Sequence, residues 1–357
     1  MSTTDRHGAS ATDHPPRSTV LPSLSVVIPV YNARSWVHGT VERVETALDR
    51  AGWGDAEIVL VDDGSTDGSD QAIAELECRH RPVVVSQANQ GRFPARLHGL
   101  EAASGEFVLL LDVRVHVDPD ALVFLADRLV GEPERRVWNG HVRTAVSWKP
   151  WTRFWNPITF VAWHRYLHRP ADTSFGTEDF DHYPKGTGFF FAPREQLLEL
   201  CTGFESSFDD ISMASDDTLL LKPLAASDRI NIAPEFGAVY HPRDDLRSFA
   251  RHTYFRGTTF VDGHLRPGSR FNRIFWTSLA VASVPLLIAL RRPRQSAAAA
   301  GAGLAVLPLG LRAAGVPLAD GASFAVLLPA FSVTYAAGIL RGFVLRRTAR
   351  RTTPAGR

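Results

Sequence analysis

An apolar run that stops at two adjacent carboxylates constrains this chain more than any other stretch. Ile58-Val59-Leu60-Val61 is short and β-branched, the pattern of a parallel strand buried on both faces. Asp62 and Asp63 fall at its carboxyl end, Gly64 permits a tight turn, and Ser65, Thr66 or Asp67 can cap the helix that follows. In an open α/β sheet that edge is where ligands bind. Asp62 and Asp63 therefore read as ligand-contacting groups, whereas Asp67 and Ser69 read as turn and cap residues. On this reading Asp63→Asn leaves the fold intact, since it keeps shape and removes only a charge.

The rest of the first half repeats the alternation of strand and helix. Leu24 to Val30 is a strand ending in the Tyr31-Asn32 loop, and Val37, Val41, Val44 and Leu48 mark a helix over Ser35 to Ala51. With the Asp62-Asp63 strand this makes a βαβ unit. The pattern continues with a helix over Asp70 to Arg79, a strand over Val83 to Ser86, and a turn at Asn89-Gln90-Gly91 that opens a helix to Leu100. Phe107 to Leu111 is a strand that delivers Asp112, and Asp120 to Val130 is a helix between Pro119 and Gly131. Farther on come a loop over Asp172 to Pro184, a strand over Phe189 to Ala192 and a helix over Glu195 to Cys201. A strand within residues 231 to 242 precedes a helix carrying Arg247, Arg251 and Arg256. The expected fold class is α/β, a doubly wound, mostly parallel sheet followed by a C-terminal membrane-embedded helical region.

Three segments together, Ser25-Val26-Val27-Ile28-Pro29-Val30-Tyr31-Asn32, the Asp62-Asp63 turn, and Gly105 to Asp112, resemble family 2 of the inverting glycosyltransferases. The resemblance is clear over about residues 24 to 120 and fair to about 260. It implies a GT-A-like nucleotide-sugar domain in which Asp63 reads the base and Asp62 supports the ribose or the loop. Pro29, Tyr31 and Arg96, which matches an Ala-Arg pair of the family, become donor contacts. The family's Asp-x-Asp reads Asp112-Val113-Arg114 here, so one carboxylate is replaced by a guanidinium. Two readings stay open. Asp112 and His116 share a divalent metal, Mg2+ or Mn2+, with the donor diphosphate, or Arg114 supplies the positive charge itself. Ser215-Asp216-Asp217 resembles the family's Glu-Asp motif, which makes Asp217 the candidate base and Asp216 its neighbour, with helix capping as the alternative. Gly188 precedes the acceptor-side strand, and Arg251 and Arg256 are candidates to meet the diphosphate or an acceptor phosphate.

Composition bounds the partners. The net charge of +1 gives no argument for nucleic acid, and two cysteines, Cys78 and Cys201, are too few for a disulfide framework. Residues 1–22 are polar and proline-containing, the pattern of a disordered tail, and residues 23–265 form the catalytic domain. Trp148, Trp151, Trp155 and Trp163, interleaved with Lys149, Arg153 and Arg165, suit a membrane interface or an aromatic core equally. Residues 266–345 carry three apolar runs, read as an interfacial helix over about 274–290 and spans over about 296–311 and 322–340. Arginines at 291, 292 and 294 and in the basic tail 346–357 place those ends in the cytoplasm, with Arg312 and Asp320 outside.

The expected function is transfer of a sugar from a nucleotide-diphosphate sugar to a lipid-linked or cell-envelope glycan acceptor, at the cytoplasmic face of the cell membrane. The rival is a non-catalytic membrane scaffold that keeps a degenerate nucleotide-sugar fold. A nucleotidyltransferase would carry a Gly-rich, Lys/Arg-containing loop after the first strand, which Ile28 to Asn32 lacks.

Overall fold

The computed structural model describes residues 20–352 apart from 146, 205, 211, 213–215, 244 and 266–269, with backbone alone at 216, 270, 281–289 and 349–352. Most of the N-terminal tail, the end of the basic tail, Ser215 and the Asp216 side chain lie outside what is described.

Among the described residues eleven strands form two sheets. They are β1 (Leu24–Val30), β2 (Glu57–Asp63), β3 (Arg81–Gln87), β4 (Phe107–Leu111), β5 (Val115–Val117), β6 (Trp138–Asn139), β7 (His141–Thr144), β8 (Thr173–Phe175), β9 (Phe189–Pro193), β10 (Ile230–Ile232) and β11 (Gly237–Tyr240). The large sheet runs β3-β2-β1-β4-β9-β6-β10-β8, and β5-β11-β7 make the small one. β1 pairs in parallel with β2 and β4, and β2 with β3, which is the doubly wound half. β9 runs antiparallel to both β4 and β6. The strand order reverses between β1 and β4, so the crevice at their carboxyl ends is the switch point where such folds bind ligands.

The apolar runs explain this half directly. β1 buries Val26, Val27 and Ile28, β2 is buried at every position, and helix Arg34–Ala51 lays Val37, Val41, Val44 and Leu48 on the sheet. The opposite face, to which β9 contributes Phe190, is covered by helix Arg92–Ala102 and by Leu197, Leu221 and Leu224. In the second half the expected loop over 172–184 contains β8 and a 3-10 turn at Phe180–His182, and the single strand expected within 231–242 is two, β10 and β11. The helix expected to Arg79 stops at Ala74.

After β11 comes helix Leu246–His264, capped by the Asp245 side chain accepting from Ser248 N, then helices Arg270–Arg291, Pro293–Ala313 and Leu318–Thr352. Among the described residues the last two are long and apolar enough to cross a membrane. Helix Leu318–Thr352 also packs tightly against helix Leu246–His264. A Cβ on Gly257 would overlap the Tyr335 carbonyl oxygen, one on Gly338 the Tyr254 carbonyl oxygen, and one on Gly342 would come within 2.7 Å of the Thr258 carbonyl oxygen.

Candidate active site

The loops at the carboxyl ends of β1 and β2 are knitted together by side chains. Asn32, at a left-handed φ of 47°, accepts from Thr66 N at 2.8 Å, and Asn32 N donates to Ser65 Oγ at 3.1 Å. Ala33 N donates to Ser69 Oγ at 2.9 Å and Arg34 N to Asp67 Oδ2 at 3.1 Å. Asp67 and Ser69 thus have the structural work the sequence assigned them. Asp62 accepts from Ser65 N at 3.2 Å, and Tyr31 stands exposed at the mouth of the crevice while Pro29 lies in β1 opposite Val61.

Asp63 is buried, and its carboxylate accepts from Gln87 Nε2 and Gln90 N at 2.8 Å and from Gly91 N at 2.9 Å. It is the post around which residues 87–91 wrap. Gly64, with φ of 67°, lies so close under this loop that a Cβ would sit 2.6 Å from Asn89 N. The expectation that Asp63→Asn spares the fold is corrected here: an amide keeps one acceptor oxygen and sets its NH2 against backbone donors.

The second cluster lies at the end of β4. Arg96, 2% exposed, donates from Nη2 to Asp112 Oδ1 at 2.7 Å, and its Nη1 stands 3.8 Å from Asp217 Oδ1. Arg92 Nη2 stands 3.8 Å from Asp217 Oδ2. Thr187 holds Asp217 through both its backbone N–H, at 3.0 Å, and its hydroxyl. Burial alone would raise the Asp217 pKa. Arg92, then Arg96, then the Thr187 hydrogen bonds outweigh it and hold the carboxyl well below the usual carboxylate range. With 30% of its side chain accessible, Asp217 is an ionised, weakly basic carboxylate that still faces the crevice. Asp112 N donates to Gly188 O at 2.9 Å, and a Cβ on Gly188 would come within 2.9 Å of Asp112 Oδ2, so glycine keeps that oxygen clear.

Arg114 and His116 go elsewhere. Arg114 donates to the carbonyls of His241 at 2.9 Å and Pro242 at 3.2 Å, and its guanidinium lies 4.5 Å from the Trp36 ring centre. His116 packs between Trp36 and His241, with Nε2 buried and unpartnered, and burial first, then His241 and Arg43, push its pKa down to about 4. Among the described residues no three His, Cys, Asp or Glu side chains converge as a metal site.

Helix Leu246–His264 approaches the same cluster. Arg251 is exposed, and Arg256 lies over the Trp155 ring at 5.3 Å. His252 between them is pushed down to about 3 by burial, with Arg256, Arg243 and Arg92 adding to it, which puts Arg92 and this helix in one positive field. Sequence reasoning missed the clamp by Thr187, although it lies inside the Lys185-Gly186-Thr187-Gly188 segment, and missed His252 altogether.

A mostly parallel sheet with its crevice at the β1/β4 switch point, and with Asp62, Asp63 and Asp112 at the carboxyl ends of its strands, defines a GT-A-like domain. Residues 25–198 match the family described as Glycosyl transferase family 2, and that segment of the chain belongs to it. The chain is 34% identical over 113 residues to an undecaprenyl-phosphate 4-deoxy-4-formamido-L-arabinose transferase of Aeromonas hydrophila, covering 31% of this chain and 34% of that one. It is 38% identical over 108 residues to the enzyme of the same name from Pseudomonas aeruginosa, covering 29% of this chain and 32% of that one. The similarity thus spans about a third of the length of these curated relatives. Among solved structures, the mannosyltransferase PcManGT of Pyrobaculum calidifontis, in complex with GDP-Man and Mn2+, superposes over 94% of this chain and 90% of that one, with 20% identity and a TM-score of 0.50.

Proposed function

We propose that this protein transfers a glycosyl group from a nucleoside-diphosphate sugar to a lipid phosphate at the cytoplasmic membrane face, with inversion at the anomeric carbon. The observation that carries the reading is the state of Asp217. A general base works best when its pKa lies near the working pH, and this carboxylate is held far below it by Arg92, Arg96 and Thr187. Such a site suits an acceptor that arrives already ionised. A phosphate oxygen needs little deprotonation, and Arg92, Arg243 and Arg256 offer cations to receive it. The names of the curated relatives, both undecaprenyl-phosphate transferases, support the same acceptor class.

In this mechanism Asp63, through the loop it organises, and Asp62 hold the nucleoside, with Pro29 and Tyr31 beside it. Arg96 fixes Asp112 at the diphosphate. Asp217 orients the guanidinium of Arg92 toward the acceptor phosphate and presents negative charge to the sugar as its anomeric carbon becomes positive. Arg251 and Arg256 hold the acceptor phosphate, and Asp216 stands beside Asp217 at the start of helix Asp216–Ser227.

Asp112, a single carboxylate with one oxygen kept clear by Gly188, fits a divalent cation that takes its other ligands from the diphosphate and water. Mn2+ in the Pyrobaculum structure supports this choice. When bound, that cation would neutralise charge on the departing diphosphate. His116 is not part of this proposal, because its ring is committed to Trp36 and His241.

The test is to incubate membranes containing the full chain with a panel of radiolabelled nucleotide sugars, with and without chelator, and to follow label extractable into organic solvent. Label in an acid-labile lipid phosphate, lost on chelation, is the expected result. Label in a water-soluble glycan would sink the lipid-phosphate acceptor, and no transfer or hydrolysis from any donor would leave the scaffold reading.

A further inference from the structure

We infer that the C-terminal helices sit in a single leaflet, so that both ends of helix Leu318–Thr352 stay on the side of the membrane that holds the catalytic domain. The inference rests on the membrane location proposed above and replaces the two-span arrangement expected from the apolar runs and arginine clusters.

The geometry turns on where that helix is held. Near its start, buried Asp320 accepts from Arg153 Nη1 at 2.8 Å and from Asn156 Nδ2 at 3.0 Å. Near its other end Arg346 Nη1 donates to the carbonyl of Leu265 at 3.0 Å. The 26 steps between Asp320 and Arg346 correspond to ~39 Å of helix, longer than the ~30 Å hydrocarbon core. If the helix crossed the membrane, these two ends would lie on opposite faces. Yet both are tied to the same body of protein.

The contacts between these ends close the argument. Gly257 meets Tyr335 and Gly338, and Val261 meets Gly342, so helix Leu246–His264 runs beside the long helix in the same direction. That partner is unsuited to hydrocarbon. It exposes Arg247, Arg251 and Arg256, each costing roughly 2.5–3.5 kcal/mol or more at a bilayer centre. Its Asp262 is bonded to Ser206 Oγ at 3.2 Å and Ser207 N at 2.7 Å, in a loop whose backbone has no place at membrane depth. The tip of the hairpin also stays on the domain, since Val316 is buried and a Cβ on Gly315 would come within 3.3 Å of the Phe160 ring.

What remains for lipid is the outward surface. Helix Pro293–Ala313 buries none of its apolar window inside the protein, and Leu309, Val326, Val333 and Leu340 are all more than 60% exposed. The helix meets the protein where Pro308 packs against Gly321, and the apolar surface left open around the rest of it needs a surrounding solvent rather than one flat neighbour, which favours lipid over a second copy of the chain. Arg291, Arg292 and Arg294 at one end of the hairpin suit anionic headgroups, and exposed Trp148 and Trp276 suit the interface.

Single cysteines at Arg292, Arg312 and Arg347, in a chain carrying Cys78→Ser and retaining the buried Cys201, test this without any reference to activity. All three are expected to be protected from an impermeant thiol reagent in intact cells and labelled in inverted vesicles, where the parent sets the background. Labelling of Arg312→Cys from the face opposite to the other two overturns the inference. Trypsin on the unsubstituted protein is the second measurement: cleavage at Arg312 only from the cell exterior also overturns it. Recovery of the chain as a soluble oligomer without lipid would overturn it too, in favour of a second copy on the apolar face. A wrong acceptor assignment would leave every one of these results unchanged.

Discussion

Asp217 carries opposing demands: it is partly buried, which favours the neutral acid, yet Arg92, Arg96 and Thr187 keep it charged. A carboxylate whose pKa is depressed on folding contributes stability above the ordinary value of 3.8, lost only as pH falls below it. The acid limb of the pH–rate profile should therefore not belong to Asp217 at any pH above about 4, and a limb near neutrality that disappears in Asp217→Asn would overturn that assignment. Asp217→Asn, which removes the charge that orients Arg92 and faces the sugar, should lower kcat by roughly 100-fold while leaving donor affinity, measured by calorimetry, nearly unchanged. Histidines set a second pH dependence. Burial first, with neighbouring cations, depresses His116 and His264 to about 4 and His252 to about 3, from an ordinary 6.5. Below 6.5 the unfolded chain takes up protons that the folded one refuses, so stability is full above pH 6.5 and declines progressively toward pH 4. The midpoint of thermal unfolding should fall across that window, and His252→Gln should flatten the slope. A flat profile in the parent would mean that these rings are hydrated and titrate normally.

At the scale of elements, strand ends were legible and long-range pairings were not. Asp63 and Asp112 could be placed from sequence because an apolar run gives the strand and the strand's end gives the crevice, whereas Arg96 was singled out only by its resemblance to the family's Ala-Arg pair. β8 could not, since it exists only by pairing with β10, Ile230 against Phe175, and no local periodicity announces that. The role of Gly338-Ile339-Leu340-Arg341-Gly342 was also hidden. Its two glycines four apart mark a close helix crossing, but within an apolar run they read as part of a span. Their position against Gly257 makes a definite prediction. Gly338→Leu would drive a side chain into the Tyr254 carbonyl and Thr258 N, so the helices must separate, at a cost of about 1–3 kcal/mol. Gly303→Leu, where a Cβ meets nothing within 4 Å, is the control and should be silent. Thermal unfolding in detergent compares the two, and equal midpoints would show that the crossing is looser than the glycines indicate.

At the scale of the whole molecule, the shift in composition near residue 266 suggests a catalytic domain that ends at 265, but packing runs straight across that boundary. Phe208, Val261 and Leu265 are buried against Phe275, Ile339, Phe343 and Leu345, and Phe154 and Phe249 against Phe324, Leu327 and Phe331. Each fully buried side chain of this size is worth ~1.5–3 kcal/mol. Half-exposing the five that belong to residues before 266 would then cost ~4–7 kcal/mol, comparable with the ~5–15 kcal/mol that holds a domain together. Helix Leu246–His264 would be the first element to loosen, and with it the cations Arg251 and Arg256 and the half-buried His252 near Arg92. A chain truncated after Leu265 should therefore fail to give a soluble, cooperatively unfolding domain, whereas the full chain in detergent should unfold in one transition. Limited proteolysis and calorimetry on both would decide it. A truncated form that stays monomeric and keeps the full chain's unfolding midpoint and donor affinity would show that the membrane helices are an appendage, and that the glycine-lined crossing stabilises only them.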